Sequence, residues 1–234
     1  KMLWKNLKYQ GYSPESRAAH TCDKIGNTLY IFGGWNGEIA LDTIETFDLI
    51  KSEWSIIETT GECPSTRNNH SSCSHNNSLY IHGGHDGFNW LDNFYCLDTY
   101  NNYWKKINCS DYSPSERACH TLSIIDNKIY LFGGYDGKKS FNDIEIYNIK
   151  TQKWTKEEDF TGTPPSTRNA HTATVVDTKL FIFAGHYLNN HLNDLHYYEI
   201  KSKTWVKPII SGDIPKGIRG HTTTFYYNSL YIFG

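Results

Sequence analysis

The stretch Leu29–Glu38, "LYIFGGWNGE", decides how the rest of the chain is read. A run of apolar residues reads as a strand, Gly33-Gly34 ends it, and Trp35 stands just past the break. A Trp in that place either packs on its own scaffold or reaches toward a partner. The stretch returns as "LYIHGGHDGF" (79–88), "IYLFGGYDGK" (129–138) and "LFIFAGHYLN" (180–189). Trp recurs with it at Trp4, Trp54, Trp104, Trp154 and Trp205, in steps of 50, 50, 50 and 51. His recurs at His20, His70, His120, His171 and His221. Each His precedes the first residue of the glycine pair by 13 positions, and the second glycine precedes Trp by 20. The single extra residue falls between Trp154 and His171, in a loop-like "EEDFTGTPPSTR".

Each unit divides into strands. An inner strand begins near His20, turns at Gly26-Asn27 and returns as Leu29–Phe32; a third strand ends near Asp48 and a fourth surrounds Trp54. Four antiparallel strands cannot close a core alone, but stacked radially as blades they can. The units run 1–16 (partial), 17–66, 67–116, 117–167, 168–217 and 218–234 (partial), one repeat domain spanning 1–234. An opening outer strand around Trp4 and an ending inside a fifth unit predict a fragment of a larger all-β propeller.

Three elements together resemble the kelch repeat. They are the glycine pairs (Gly33-Gly34, Gly83-Gly84, Gly133-Gly134, and Ala184-Gly185 in the fourth unit), the third-strand signature, and Trp54, Trp104, Trp154 and Trp205. An added PxxRxxH, carried by Arg17/His20, Arg67/His70, Arg117/His120 and Arg168/His171, resembles the subgroup that includes host cell factor, leucine-zipper-like regulator and Rab-effector kelch proteins. The fifth unit departs from the pattern, with Ile218 in the Arg place and Arg219 one later. The fourth departs with Ala184 and with Tyr187-Leu188-Asn189 in place of an Asp-Gly turn. The resemblance implies a four-stranded-blade propeller acting as a protein-interaction module or adaptor. It also admits a regulatory or substrate-recognition domain of a larger enzyme (phosphatase or ubiquitin-ligase type), or a kelch-type enzyme.

A residue present in every blade belongs to the fold, and one that differs between aligned blades can carry function. On that rule the Gly pairs, Trp set and His set are structural. The His residues stand one per blade and cannot share an ion, and no catalytic, metal or cofactor site is expected. The arginines either form a basic ring for acidic side chains or pair within the fold, with Asp42, Asp92, Asp143 and Asp194 as candidate partners. The loop after the glycines opens with Trp35, His85, Tyr135 and His186, followed by Asn36, Asp86, Asp136 and Tyr187, with Phe88 and Trp90 further on. These residues and Arg17, Arg67, Arg117 and Arg168 are expected to form one partner-binding face. The face of the Gly26-Asn27, Asn76-Asn77 and Asp126-Asn127 turns carries no aromatic there and is expected to be inert.

A net charge of −2 offers no field for nucleic acid, and no apolar run approaches the about 18 residues of a membrane span. The expected partner is a protein or peptide. Six Cys without a C-x-x-C pair read as free thiols in a reducing compartment, cytoplasmic or nuclear.

Overall fold

The computed structural model describes residues 5–109 and 111–234. Trp4 lies outside them. The described residues form strands, turns and loops with no helix. Four blades follow the sequence repeat. The first holds Thr21–Ile25, Thr28–Phe32, Ile44–Asp48 and Glu53–Ile56. The second holds Ser71–His75, Ser78–His82, Phe94–Asp98 and Tyr103–Lys106. The third holds Thr121–Ile125, Lys128–Phe132, Ile144–Asn148 and Lys153–Lys156. The fourth holds Thr172–Val176, Lys179–Tyr187, Asn190–Glu199 and Thr204–Val206. Thr222–Tyr226 and Ser229–Phe233 form a two-stranded fifth sheet. The first strand of each blade lies against its counterpart in the next, around the central axis.

The blade edges carry a feature that the four-strand pattern does not predict. Gln10–Gly11 pairs in parallel with Glu53-Trp54, and Thr60–Gly61 with Tyr103-Trp104. Thr161 makes a parallel bridge to Thr204. The segment entering the first and second blades therefore adds a short fifth strand to the rim, and in the fourth it makes a single bridge at the same place. Glycine is required there: a Cβ on Gly61 would sit 2.2 Å from the Trp104 carbonyl oxygen, and one on Gly162 2.1 Å from that of Trp205.

The core lies in the seams between blades. Within a blade, Trp154 pairs across strands with Tyr147, and Trp205 with Tyr198. Each Trp also reaches back to the preceding blade. Trp104 packs on Phe32 at 5.6 Å, Trp154 on Phe94 at 5.1 Å and Trp205 on Phe132 at 5.4 Å. Each is almost wholly buried, and the stacks are inter-blade wedges of large apolar area.

Near the axis, one residue per blade adopts left-handed φ: Ala19, Asn69, Cys119, Ala170 and Gly220. Their amides link the blades head to tail. Asn69 N–H donates to Ala19, Cys119 to Asn69, Ala170 to Cys119 and Gly220 to Ala170, at 2.8–2.9 Å. These residues and the neighbouring histidines line an axial opening of about 500 Å³.

Candidate interaction face

The face carrying the loops after the glycines is built from a repeated base. The first glycine of each pair presses on the next blade. A Cβ on Gly83 would approach the Arg117 carbonyl oxygen to 2.5 Å and the His120 ring to 2.8 Å, and Gly133 meets Arg168 and His171 in the same way. Both are at φ 66°, a region open to glycine. The second glycine donates its amide across the seam, Gly84 to Arg117 and Gly134 to Arg168, each at 2.9 Å.

The arginines lie inside this base. Arg67, Arg117 and Arg168 are at most 1% exposed. The Arg117 guanidinium donates to the Gly133 carbonyl at 3.1 Å and to both oxygens of Asp143 at 2.8 and 3.1 Å. Arg168 donates to Ala184 at 2.9 Å and to both oxygens of Asp194 at 2.8 Å. Together with His196, Arg168 holds the Asp194 carboxyl well below the usual carboxylate range, although burial acts the other way. Arg17 pairs with Glu45 and donates to Thr43 at 3.1 Å. The expectation of an arginine ring facing a partner is thus corrected for these four residues: their forks are closed within the fold. Asp143 and Asp194 are the partners foreseen. Asp42 and Asp92 are not, because the pairing place is the ninth residue after the second glycine, and Asp42 and Asp92 are the eighth. At that ninth place the first two blades have Thr43 and Asn93. Glu145, beside this network, accepts the Tyr112 hydroxyl at 2.8 Å on both oxygens, and burial pushes its carboxyl up to about 7.

Four of the five periodic histidines form a second repeated layer. His70, His171 and His221 each share a hydrogen bond through Nε2 with a threonine hydroxyl of the preceding blade: Thr21, Thr121 and Thr172, at 2.9, 3.1 and 2.9 Å. His120 instead meets Nδ1 of His82 at 3.1 Å. Burial pushes His70, His82 and His171 down to about 3, so these rings are neutral at neutral pH. Among the described residues no group of three or more His, Cys, Asp or Glu is arranged to hold a metal ion.

Above this base the loops share one turn. The side-chain oxygen of Asn36 accepts the amides of Glu38 and Ile39, that of Asp86 those of Phe88 and Asn89, and that of Asp136 those of Lys138 and Lys139, at 2.7–3.0 Å. Asn36, Asp86 and Asp136, expected to contact a partner, thus hold their own loops. The ring residues divide. Trp35 is fixed by its backbone to Ala18, at 2.8 and 2.9 Å, while its side chain is 37% exposed. His85 packs on Trp90 at 4.9 Å and Trp90 on Tyr135 at 5.3 Å, an edge-to-face run joining the second and third loops. The Tyr135 hydroxyl donates to the Gly137 carbonyl at 2.8 Å. These three aromatics are folded over the scaffold. Phe88 stands out at 91% exposure.

In the fourth blade the loop becomes a long hairpin. His186 lies opposite His191 and Tyr187 opposite Asn190, and Leu188 turns at φ 51°. The fifth unit is fitted to it: a Cβ on Gly217 would lie 2.1 Å from the His191 carbonyl oxygen. Ile218 takes over the backbone role of the other arginines, accepting from Gly185 at 2.9 Å. The guanidinium moves one residue on, to exposed Arg219. Ile39 and Leu188 are exposed loop tips that were not among the expected site residues. Their signal was local, an apolar residue within the turn that follows the glycines. The opposite face is less bare than expected, because Ile50 and Tyr100, on its other turns, are both largely exposed.

The repeated seams, glycine pairs and buried Arg and Trp define a propeller of the kelch class. The model of the KLHDC2/KLHL20/DRC7 Kelch-repeats domain matches residues 1–134 and 120–234, and the chain belongs to that kelch-repeat family. It is 43% identical to human (Homo sapiens) Kelch domain-containing protein 1 over 84 residues, 36% of this chain and 21% of that protein. It is 31% identical to the Xenopus laevis Rab9 effector protein with kelch motifs over 97 residues, 40% of this chain and 26% of that protein. It is 40% identical to the Dictyostelium discoideum Rho GTPase-activating protein gacHH over 75 residues, 32% of this chain and 5% of that protein. The matched stretches thus span about a quarter or less of these relatives.

Proposed function

We propose that the chain is a protein-interaction module whose partner docks on the loop face. One observation carries this reading. Loops at equivalent places, three of them held by the same side-chain-to-backbone turn, present different tips: Glu38-Ile39, Phe88-Asn89, Lys138-Lys139 and Leu188-Asn189. A scaffold that repeats beneath tips that differ is a frame for recognition, and exposed aromatic and aliphatic tips are anchor groups. The name of the Rab9 effector relative describes a protein of that kind. A second reading, recognition within a larger enzyme or regulator, is favoured by the match to a small part of a Rho GTPase-activating protein. Six unpaired thiols support a reducing, cytoplasmic or nuclear setting.

The test compares two variants of the intact protein in affinity capture from native lysate. Ile39→Ser/Phe88→Ser/Leu188→Ser changes the loop tips, and Ile50→Ser/Tyr100→Ser changes the opposite face. The tip variant is expected to keep its circular dichroism and lose its partners, while the other keeps both. Loss only in the opposite-face variant reverses the assignment.

A further inference from the structure

The groove between the third and fourth loops differs from the rest of the face in charge. It encloses about 750 Å³ and is lined by Tyr135, Lys138, Lys139, His186, Tyr187 and Arg219 among others, with no Asp or Glu in its wall. None of the three cations has a carboxylate in ion-pair range among the described residues. Lys139 lies over the Phe141 ring, at 5.2 Å, and feels the Asp136 carboxylate, which accepts the Lys138 and Lys139 amides but pairs with neither ammonium group. A second lysine-rich groove, formed by Lys128, Lys153, Lys156 and Lys203, makes the comparison. There Lys153 meets Asp111 at 2.8 Å, Lys156 meets Glu158 at 3.5 Å and Lys203 meets Glu157 at 3.1 Å. One groove has three of its four lysines closed in ion pairs, and the other has none of its three cations so closed. The first loop carries the opposite sign, with Glu38 at its tip and Glu15 accepting from Asn36 at 3.0 Å.

Arg219 has a structural cause. Its counterparts, displaced by one residue, are closed on carbonyls and carboxylates in the seams. Ile218 fills the seam place here, so the guanidinium stands in the open beside the hairpin. Burial presses the His186 imidazole toward its neutral form, and Arg219 and His191 beside it add to this. A forked guanidinium, two ammonium groups and flat aromatic walls fit carboxylates spaced along an extended chain.

We infer that this groove binds an acidic segment of a partner protein, its carboxylates meeting Lys138, Lys139 and Arg219 while its backbone and side chains pack on Tyr135 and Tyr187. The inference rests on the interaction-module reading and gives its partner a chemistry.

The test is fluorescence anisotropy with the intact protein and labelled peptides of one length: a Glu/Asp-rich peptide, its Gln/Asn counterpart and a Lys/Arg-rich one. The acidic peptide is expected to bind at least about tenfold more tightly than the amide peptide, and to weaken with added salt. Lys138→Glu/Lys139→Glu/Arg219→Glu should lower its affinity by about tenfold or more. The charge-keeping Lys138→Arg/Lys139→Arg/Arg219→Lys should retain binding, and so should Lys153→Glu/Lys156→Glu in the paired groove. Equal binding of acidic and amide peptides overturns the inference, as does equal loss in the two charge-reversed variants. Either result leaves the broader reading standing, because that reading fails only if the loop-tip variant captures the same partners as the parent.

Discussion

The seam between the second and third blades and the seam between the third and fourth are built at the same sequence positions, yet they solve one problem in two ways. In the later seam Phe132 meets His171 edge-on at 5.2 Å, and the ring shares its hydrogen bond with Thr121. In the earlier one His82 stands where Phe132 would, and it is the partner of His120 at 3.1 Å. The residue aligned with Thr121 is Ser71, whose hydroxyl turns to accept the Leu122 amide at 2.8 Å. The arginines of these two seams both have a carboxylate, Arg117 with Asp143 and Arg168 with Asp194, whereas Arg67, at the seam between the first and second blades, is buried on Ser65, the Gly83 carbonyl and the Tyr95 ring with no carboxylate in ion-pair range among the described residues. The lesson is that a repeat specifies shape first. Apolar volume, glycine clearance and backbone bonds recur in both seams, while polar pairing is settled locally.

Three changes probe that contrast, beginning with the largest. Trp154→Ala and Trp205→Ala remove the wedge from one seam each and should cost about 3–5 kcal/mol in both, measured by urea denaturation. Trp35→Ala, on the loop face, should cost under about 1 kcal/mol. A loss from Trp35→Ala equal to that from Trp154→Ala would move Trp35 from the recognition face into the core.

The next largest effect is on acid stability. His82 is held at about 3, below the about 6.5 of an unfolded histidine. Between those values the unfolded chain carries a proton that the folded chain does not, so stability falls as pH falls through that window. His82→Phe makes the early seam like the later one and removes one such proton. At pH 7 it sacrifices a bond to His120, about 1 kcal/mol. Between pH 7 and 5 it should lose about 2 kcal/mol less than the parent. Parallel urea midpoints across that range would show that His82 takes no part in the acid response.

The smallest is a gain. Asn93→Asp supplies the carboxylate that Asp143 and Asp194 give the later arginines. It should stabilise the protein by about 1 kcal/mol at pH 7, and the gain should vanish as pH falls below about 4 and the new group protonates. A thermal midpoint at pH 7 that does not rise would show that Arg67 and Tyr95 already satisfy that seam.

Much of the frame was legible because it repeats. Trp, Gly-Gly and His at fixed offsets gave blade number, strand order and the wedge role of Trp104, Trp154 and Trp205. Burial of the arginines was open, since a repeated Arg near a channel mouth looks the same in sequence whether its partner is a carbonyl, Asp143 or a ligand. The rim strands were written in Gly11, Gly61 and Gly162, a further glycine period. Their role depends on a close approach to a neighbouring Trp carbonyl that only three dimensions show. The departures at Tyr187–Asn189 and at Gly217–Arg219 were visible separately. Their common cause was not, because the clearance of Gly217 under His191 joins residues from two units.

The head-to-tail amide links near the axis have a consequence for the opening that they line. They involve only backbone atoms, so the step from each blade to the next follows from peptide geometry, while the lining comes from the side chains at the five places and from the neighbouring histidines. Those places already hold Ala19, Asn69, Cys119, Ala170 and Gly220 without interrupting the links. The opening is a socket with evenly stepped walls and interchangeable teeth. A lineage could recharge it, roughen it or plug it, one Asn or Asp at a time, without rebuilding a single blade.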